Sequence, residues 1–233
     1  MVHYIPILTT LLAVVFFVDI LGHWRSKPGA TYLFWWMAGV LAFGLGTLSE
    51  SIHVLAGWQA WNVRFWYVVG ALLGGFPLAQ GTAYLLLDRR LAHAFMLLAM
   101  AAITVGTVCV MLTPLLDPAT VDHRLTGQVF AWQWVRNFSP LINIYSFLVL
   151  VGGAAWSAVQ YFRMGPTHVR FLGNVLIAIG ALLPGIGGTA TRMGHVEVLF
   201  VTELVGLLAI YGGYRLMRGD RSGSIHSAQL EVG

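Results

Sequence analysis

Between Tyr4 and Gly22 the chain runs for the width of a bilayer's hydrocarbon core with one charged residue, Asp19, near the end of the run. Six more apolar runs of similar length follow, most of them separated by short polar turns. A backbone in lipid must satisfy its own hydrogen bonds, and helices of about 20 residues do so. Hydrophobic residues make up 58% of the chain and charged residues 9%, with a mean hydropathy of +0.77. The chain therefore reads as all-α: an integral membrane bundle of seven transmembrane helices over residues 1–217, then a flexible polar tail over 218–233. The opening run has no basic residues before it, and His23-Trp24-Arg25 follows it in place of a small-residue cleavage site. It is read as a retained first helix.

The expected spans are about Tyr4–Gly22, Tyr32–Gly57, Asn62–Leu87, Leu91–Leu112, Phe138–Tyr161, Phe171–Thr191 and Val196–Leu216. Gly70 and Gly74 in the third have GxxxG spacing, which suits close helix approach, and Pro77 is expected to kink it. The sixth is expected to break or bend at Pro184-Gly185. Leu115–Arg136 is the one long connection, holding Asp117, Pro118, Asp122, His123 and Arg124, then Phe130, Trp132 and Trp134. It suits either an amphipathic segment on the membrane surface or a lid over the bundle mouth. Trp35, Trp36, Trp58, Trp61, Trp132 and Trp134 are expected as interfacial anchors.

Basic residues set the sidedness. Arg25, Lys27, Arg89, Arg90, Arg163, Arg170, Arg215, Arg218 and Arg221 fall on one side, and only Arg64, Arg124, Arg136 and Arg192 on the other. The richer side is expected to be cytoplasmic, with the N-terminus outside and the C-terminus inside. Spread over loops in this way, the net charge of +4 does not make a nucleic-acid surface. The expected partners are the lipid bilayer and a membrane or cytoplasmic protein. Cys109 is the single cysteine, so an intramolecular disulfide and a cysteine metal cluster are excluded.

The second run breaks its own apolar pattern. At 100° per residue Gly46, Glu50, His53 and Gly57 share one face, and Leu48, Ile52 and Leu55 the opposite one. A carboxylate within a bilayer faces a protein interior or a watery cavity. Sorted by the expected sidedness, Glu50, His53, Arg64, Asn143, Arg192 and Glu203 gather in the outer half and form the candidate ligand-binding pocket. Glu50 and Glu203 are expected to line one cavity, with Arg64 or Arg192 keeping at least one of them charged. Structural roles stay open beside these: ion pairs for the two glutamates, a hydrogen-bonded core position for His53, and arginines that snorkel to headgroups. His53 and His195 are the candidate metal or haem ligands; no catalytic residue is assigned, and no cofactor is identified.

Seven helices with an outside N-terminus are similar to microbial rhodopsins, but those carry retinal on a lysine of the seventh helix, and Lys27 is the only lysine here. Ser49 and His53 resemble the Ser-x-x-x-His of the alkaline ceramidase and progestin/adiponectin receptor superfamily of zinc amide hydrolases. That family also implies an aspartate in the third helix and a His-x-x-x-His in the seventh, where this chain has Leu199 four residues after His195. Arg64-Phe-Trp-Tyr67, Gly74-Gly-Phe-Pro77 and Asp88-Arg-Arg90 resemble the seven-helix sensor module at the N-terminus of some bacterial histidine kinases and cyclases, over about a third of the chain. That resemblance implies a receptor-like sensor of the bacterial cytoplasmic membrane. With no output domain after the seventh helix, it would act through a partner. The leading expectation is thus a non-enzymatic ligand-binding sensor. The alternatives are a membrane metal-dependent hydrolase using Glu50, His53, His195 and Glu203, and a haem- or pigment-binding subunit with His53 and His195 as axial ligands.

Overall fold

The computed structural model describes residues 2–117, 125–163 and 168–230. Pro118, Asp122, His123, Arg124, Gly165 and Pro166 lie outside the described residues, as do the side chains of His168, Arg192 and residues 221–230. The helices are α1 (Ile5–Ser26), α2 (Thr31–Ala56), α3 (Ala60–Trp66), α4 (Phe76–Leu86), α5 (Arg89–Leu112), α6 (Phe138–Arg163), α7 (His168–Arg192) and α8 (Val196–Leu230). A π-helical segment, Tyr67–Leu73, continues α3. Among the described residues the only β pairing is one antiparallel bridge, Leu115 to Phe130. Among the described residues seven helical stretches are long and apolar enough to cross a membrane, each close to an expected span. α8 runs to Leu230, so residues 218–230 continue the last helix.

The chain divides into two compact units, Met1–Val149 and Leu150–Gly233, with α6 passing from one to the other. In the first, α1 meets α2 through small polar side chains: the Thr10 and Thr47 hydroxyls lie 3.0 Å apart. α2 turns the expected face inward. Glu50 is 3% exposed, while Leu48 and Leu55 on the opposite face are 39% and 67% exposed.

The third span is not the continuous, Pro77-kinked helix expected from its sequence. An α-helix continued through Pro77 would lose a bond, because Pro77 has no N–H to donate to Leu73 and its ring would crowd that carbonyl. The chain leaves α geometry earlier. The Gly74 amide donates five residues back to Val69 at 3.1 Å, and Gly74 then turns at φ +37°. Pro77 falls in the first turn of α4, where its missing N–H costs nothing. Gly74 therefore serves a turn, in place of the GxxxG contact. A Cβ there would sit 2.8 Å from the Gly70 carbonyl oxygen.

The described part of the long connection from residue 125 onward packs into the protein. Leu125, Val129, Phe130 and Val135 are buried in one apolar cluster with Val63, Tyr67 and Val110. Phe130 stands edge-on to Tyr67 at 4.9 Å between ring centroids. Gly127 allows this: a Cβ there would lie 2.7 Å from Tyr67 Cε2. The segment thus roofs the end of the unit where α2 stops and α3 starts. Of the expected anchors, Trp61, Trp132 and Trp134 are exposed, whereas Trp35 and Trp58 pack on this core.

In the second unit α7 and α8 are antiparallel and touch through glycines. Gly173 opposes Gly213, and seven residues along Gly180 opposes Gly206. The break expected at Pro184-Gly185 is absent, and α7 is one helix through Pro184. Pro184 leaves the Gly180 carbonyl without its usual helical donor. That oxygen lies 2.7 Å from where a Cβ on Gly206 would be. A Cα–H···O contact from Gly206 is the substitute this packing permits.

Candidate functional site

Glu50, His53, Arg64 and Asn143 belong to the first unit, and Arg192, His195 and Glu203 to the second. The first group is built around the turn from α2 to α3. Its frame is a reciprocal clasp. The Ser49 hydroxyl donates to Asn62 Oδ1 at 2.6 Å, and Asn62 Nδ2 donates back to the Ser49 carbonyl at 2.9 Å. Both residues are fully buried. Tied in this way, α3 presents its next turn to α2, and the Trp66 indole N–H donates to Glu50 Oε1 at 3.1 Å. Close packing admits the pair: a Cβ on Gly46 would be 3.7 Å from the Gly70 Cα.

His53 stands one turn beyond Glu50 on the same face and is half-buried. Its Nδ1, like the indole nitrogen of Trp58, is buried and has no hydrogen-bond partner among the described residues. Buried polar groups of this kind cost about 1–3 kcal/mol when unsatisfied. Glu50, His53, Trp58 and Trp66 thus put a carboxylate, an imidazole and two indoles at one end of the unit. Trp66 is also the last α-helical residue before the π segment, and such segments recur at functional sites.

Arg64 has a different task. Its guanidinium donates to the carbonyls of Val110, Met111 (3.0 Å) and Thr113 (2.7 Å). These groups end α5, where the last carbonyls lack helical donors and the dipole favours a cation. Thr113 is itself buried and accepts the Trp132 amide at 3.0 Å. Arg64 therefore joins α3, α5 and the roofing connection. Asn143 donates to the Ala71 carbonyl at 3.1 Å and so serves a carbonyl of the π segment.

In the second unit Glu203 is half-buried on α8, and His195 is exposed between α7 and α8. Arg192 ends α7. Among the described residues of either unit, no three His, Cys, Asp or Glu side chains come together as metal ligands.

Two contributors were not singled out from the sequence, Asn62 and Trp66. Their signal was present: they are four residues apart, hence on one helical face. Gln80 is also buried, and both ends of its amide are hydrogen-bonded. It donates to the Ala92 carbonyl at 2.9 Å and accepts the Tyr145 hydroxyl at 2.9 Å, which fits a structural brace. Comparison of the chain with known protein families, curated proteins and solved structures found no match.

Proposed function

We propose that the chain is a non-enzymatic membrane sensor that binds a small organic cation at Glu50 and signals through a protein partner. The observation that carries this reading is the buried Glu50 carboxylate on Trp66, set where the third span leaves α geometry. A carboxylate supplies the counter-charge, and Trp66, which donates its indole N–H to it, offers a neighbouring ring for cation–π attraction of about 0.5–2 kcal/mol. A π segment and an α-helix of the same residues differ by one residue in register. A ligand that moves Trp66 thus biases a two-state element. The change would pass along α4 to the Asp88-Arg89-Arg90 turn.

The expected sidedness puts Glu50 toward the outside of a bacterial cytoplasmic membrane and that turn toward the cytoplasm. In a Cys109→Ser background, Arg90→Cys should resist a membrane-impermeant maleimide added to intact cells and react once the membrane is opened. Reaction in intact cells contradicts this topology.

Tetramethylammonium or propylamine tests the site itself. Either should change the tryptophan emission of the purified protein and raise its Tm by linkage, and Trp66→Phe should remove most of the emission change. If neither amine alters emission or Tm, the cationic-ligand reading is wrong.

A further inference from the structure

We propose that the second unit carries a site for one anionic phospholipid, in the groove between α6 and α7. The groove has a volume of about 420 Å³ and is lined by apolar residues alone, among them Ala155, Ala158, Val175 and Ala178. Three alanines leave a trough between two membrane-spanning helices, and the wall offers no hydrogen bond to a polar ligand. A trough of that chemistry, open along its length in a bilayer, is filled by an acyl chain.

The ends of the groove differ. At one end Phe162 and Phe171 pair at 5.6 Å between ring centroids, and Arg163 is the next residue, exposed, where α6 stops. Arg170, one residue before Phe171, is held by Asp220 of α8 at 3.0 Å and lies 5.7 Å from the centre of the Tyr161 ring. It adds positive potential but has its best donor direction taken. Arg163 is the cation placed to receive a phosphate. Basic residues at the end of an apolar inter-helix groove are the arrangement that selects anionic headgroups over zwitterionic ones. The aromatic pair sits at the level where headgroup gives way to chain.

Native mass spectrometry of the purified protein, offered equimolar phosphatidylglycerol and phosphatidylcholine, tests the proposal. One phosphatidylglycerol per chain should be retained, about tenfold in preference to phosphatidylcholine. Arg163→Ala should lose the preference and Arg163→Lys should keep most of it. Ala178→Leu, which fills the trough, should lose retention of both lipids while the protein keeps its elution volume and helical circular dichroism. Equal retention of the two lipids, or unchanged retention in both Arg163→Ala and Ala178→Leu, overturns the site. A chain that elutes as a dimer, and becomes a monomer on Ala178→Leu, also overturns it, because the groove then holds a second copy.

Discussion

Alanine at position 64 is expected to destabilise the protein by roughly 3 kcal/mol, since hydrogen bonds to a charged group contribute about 1.5–3 kcal/mol each and are not additive. The effect comes from what is left behind. Val110, Met111 and Thr113 present three carbonyls to one guanidinium. Without it, the end of α5 loses both its donors and its dipole partner, and the Thr113–Trp132 link to the roof is loosened. Arg64→Lys should recover only part of the loss. A single ammonium cannot reproduce the planar fork that spans adjacent carbonyls. Thermal unfolding followed by circular dichroism in detergent measures both variants. A change in stability within 0.5 kcal/mol for Arg64→Ala, the range usual for surface substitutions, would mean that these bonds do not hold α5.

Alanine at Gly206 should be comparably harmful, by about 1–3 kcal/mol of overpacking. Its Cβ would stand 2.7 Å from the Gly180 carbonyl oxygen and 3.1 Å from Pro184 Cδ. Neither partner is the end of a flexible side chain, so the helices must separate. Separation also breaks the Gly173–Gly213 approach seven residues away. Gly212 is the control, because on the same helix a Cβ there meets nothing within 4 Å. Gly212→Ala should stabilise slightly, by up to about 1 kcal/mol, through helix propensity. Stability measured on the two variants in parallel separates close packing from propensity. Equal effects at both positions contradict the glycine contact between α7 and α8.

The spans were legible because bilayer thickness sets a length, and apolar runs of that length admit little else. The inward face of α2 was legible for a similar reason: Glu50 and Leu48 cannot share an environment. The interruption of the third span was not. Apolar composition continues through Tyr67–Leu73, and nothing in a hydropathy pattern marks a hydrogen bond that spans five residues. Pro77 signalled a disturbance, but its position cannot tell a kinked helix from one that stops and starts again. The connection after α5 was ambiguous because Val129 and Phe130 suit a lipid surface and a protein core equally. The contact of Gly127 with Tyr67 decides it, and that is a tertiary fact. Depth alone makes Arg64 look like a pocket residue. Its partners are backbone carbonyls, which carry no sequence signal.

Whether Glu50 serves a ligand or only the fold is decided most directly by Glu50→Gln. Glutamine keeps an acceptor for the Trp66 indole and removes the charge, whose burial in a bilayer is expensive by at least about 2.5 kcal/mol. A site kept for binding should therefore become more stable when that charge is removed, and should lose its function. The measurement is the Tm of the purified protein with and without tetramethylammonium. Glu50→Gln should melt higher than the parent without the amine and show no further rise with it. A variant that melts lower than the parent, and still responds to the amine, would contradict the assignment of Glu50 as the ligand's counter-charge.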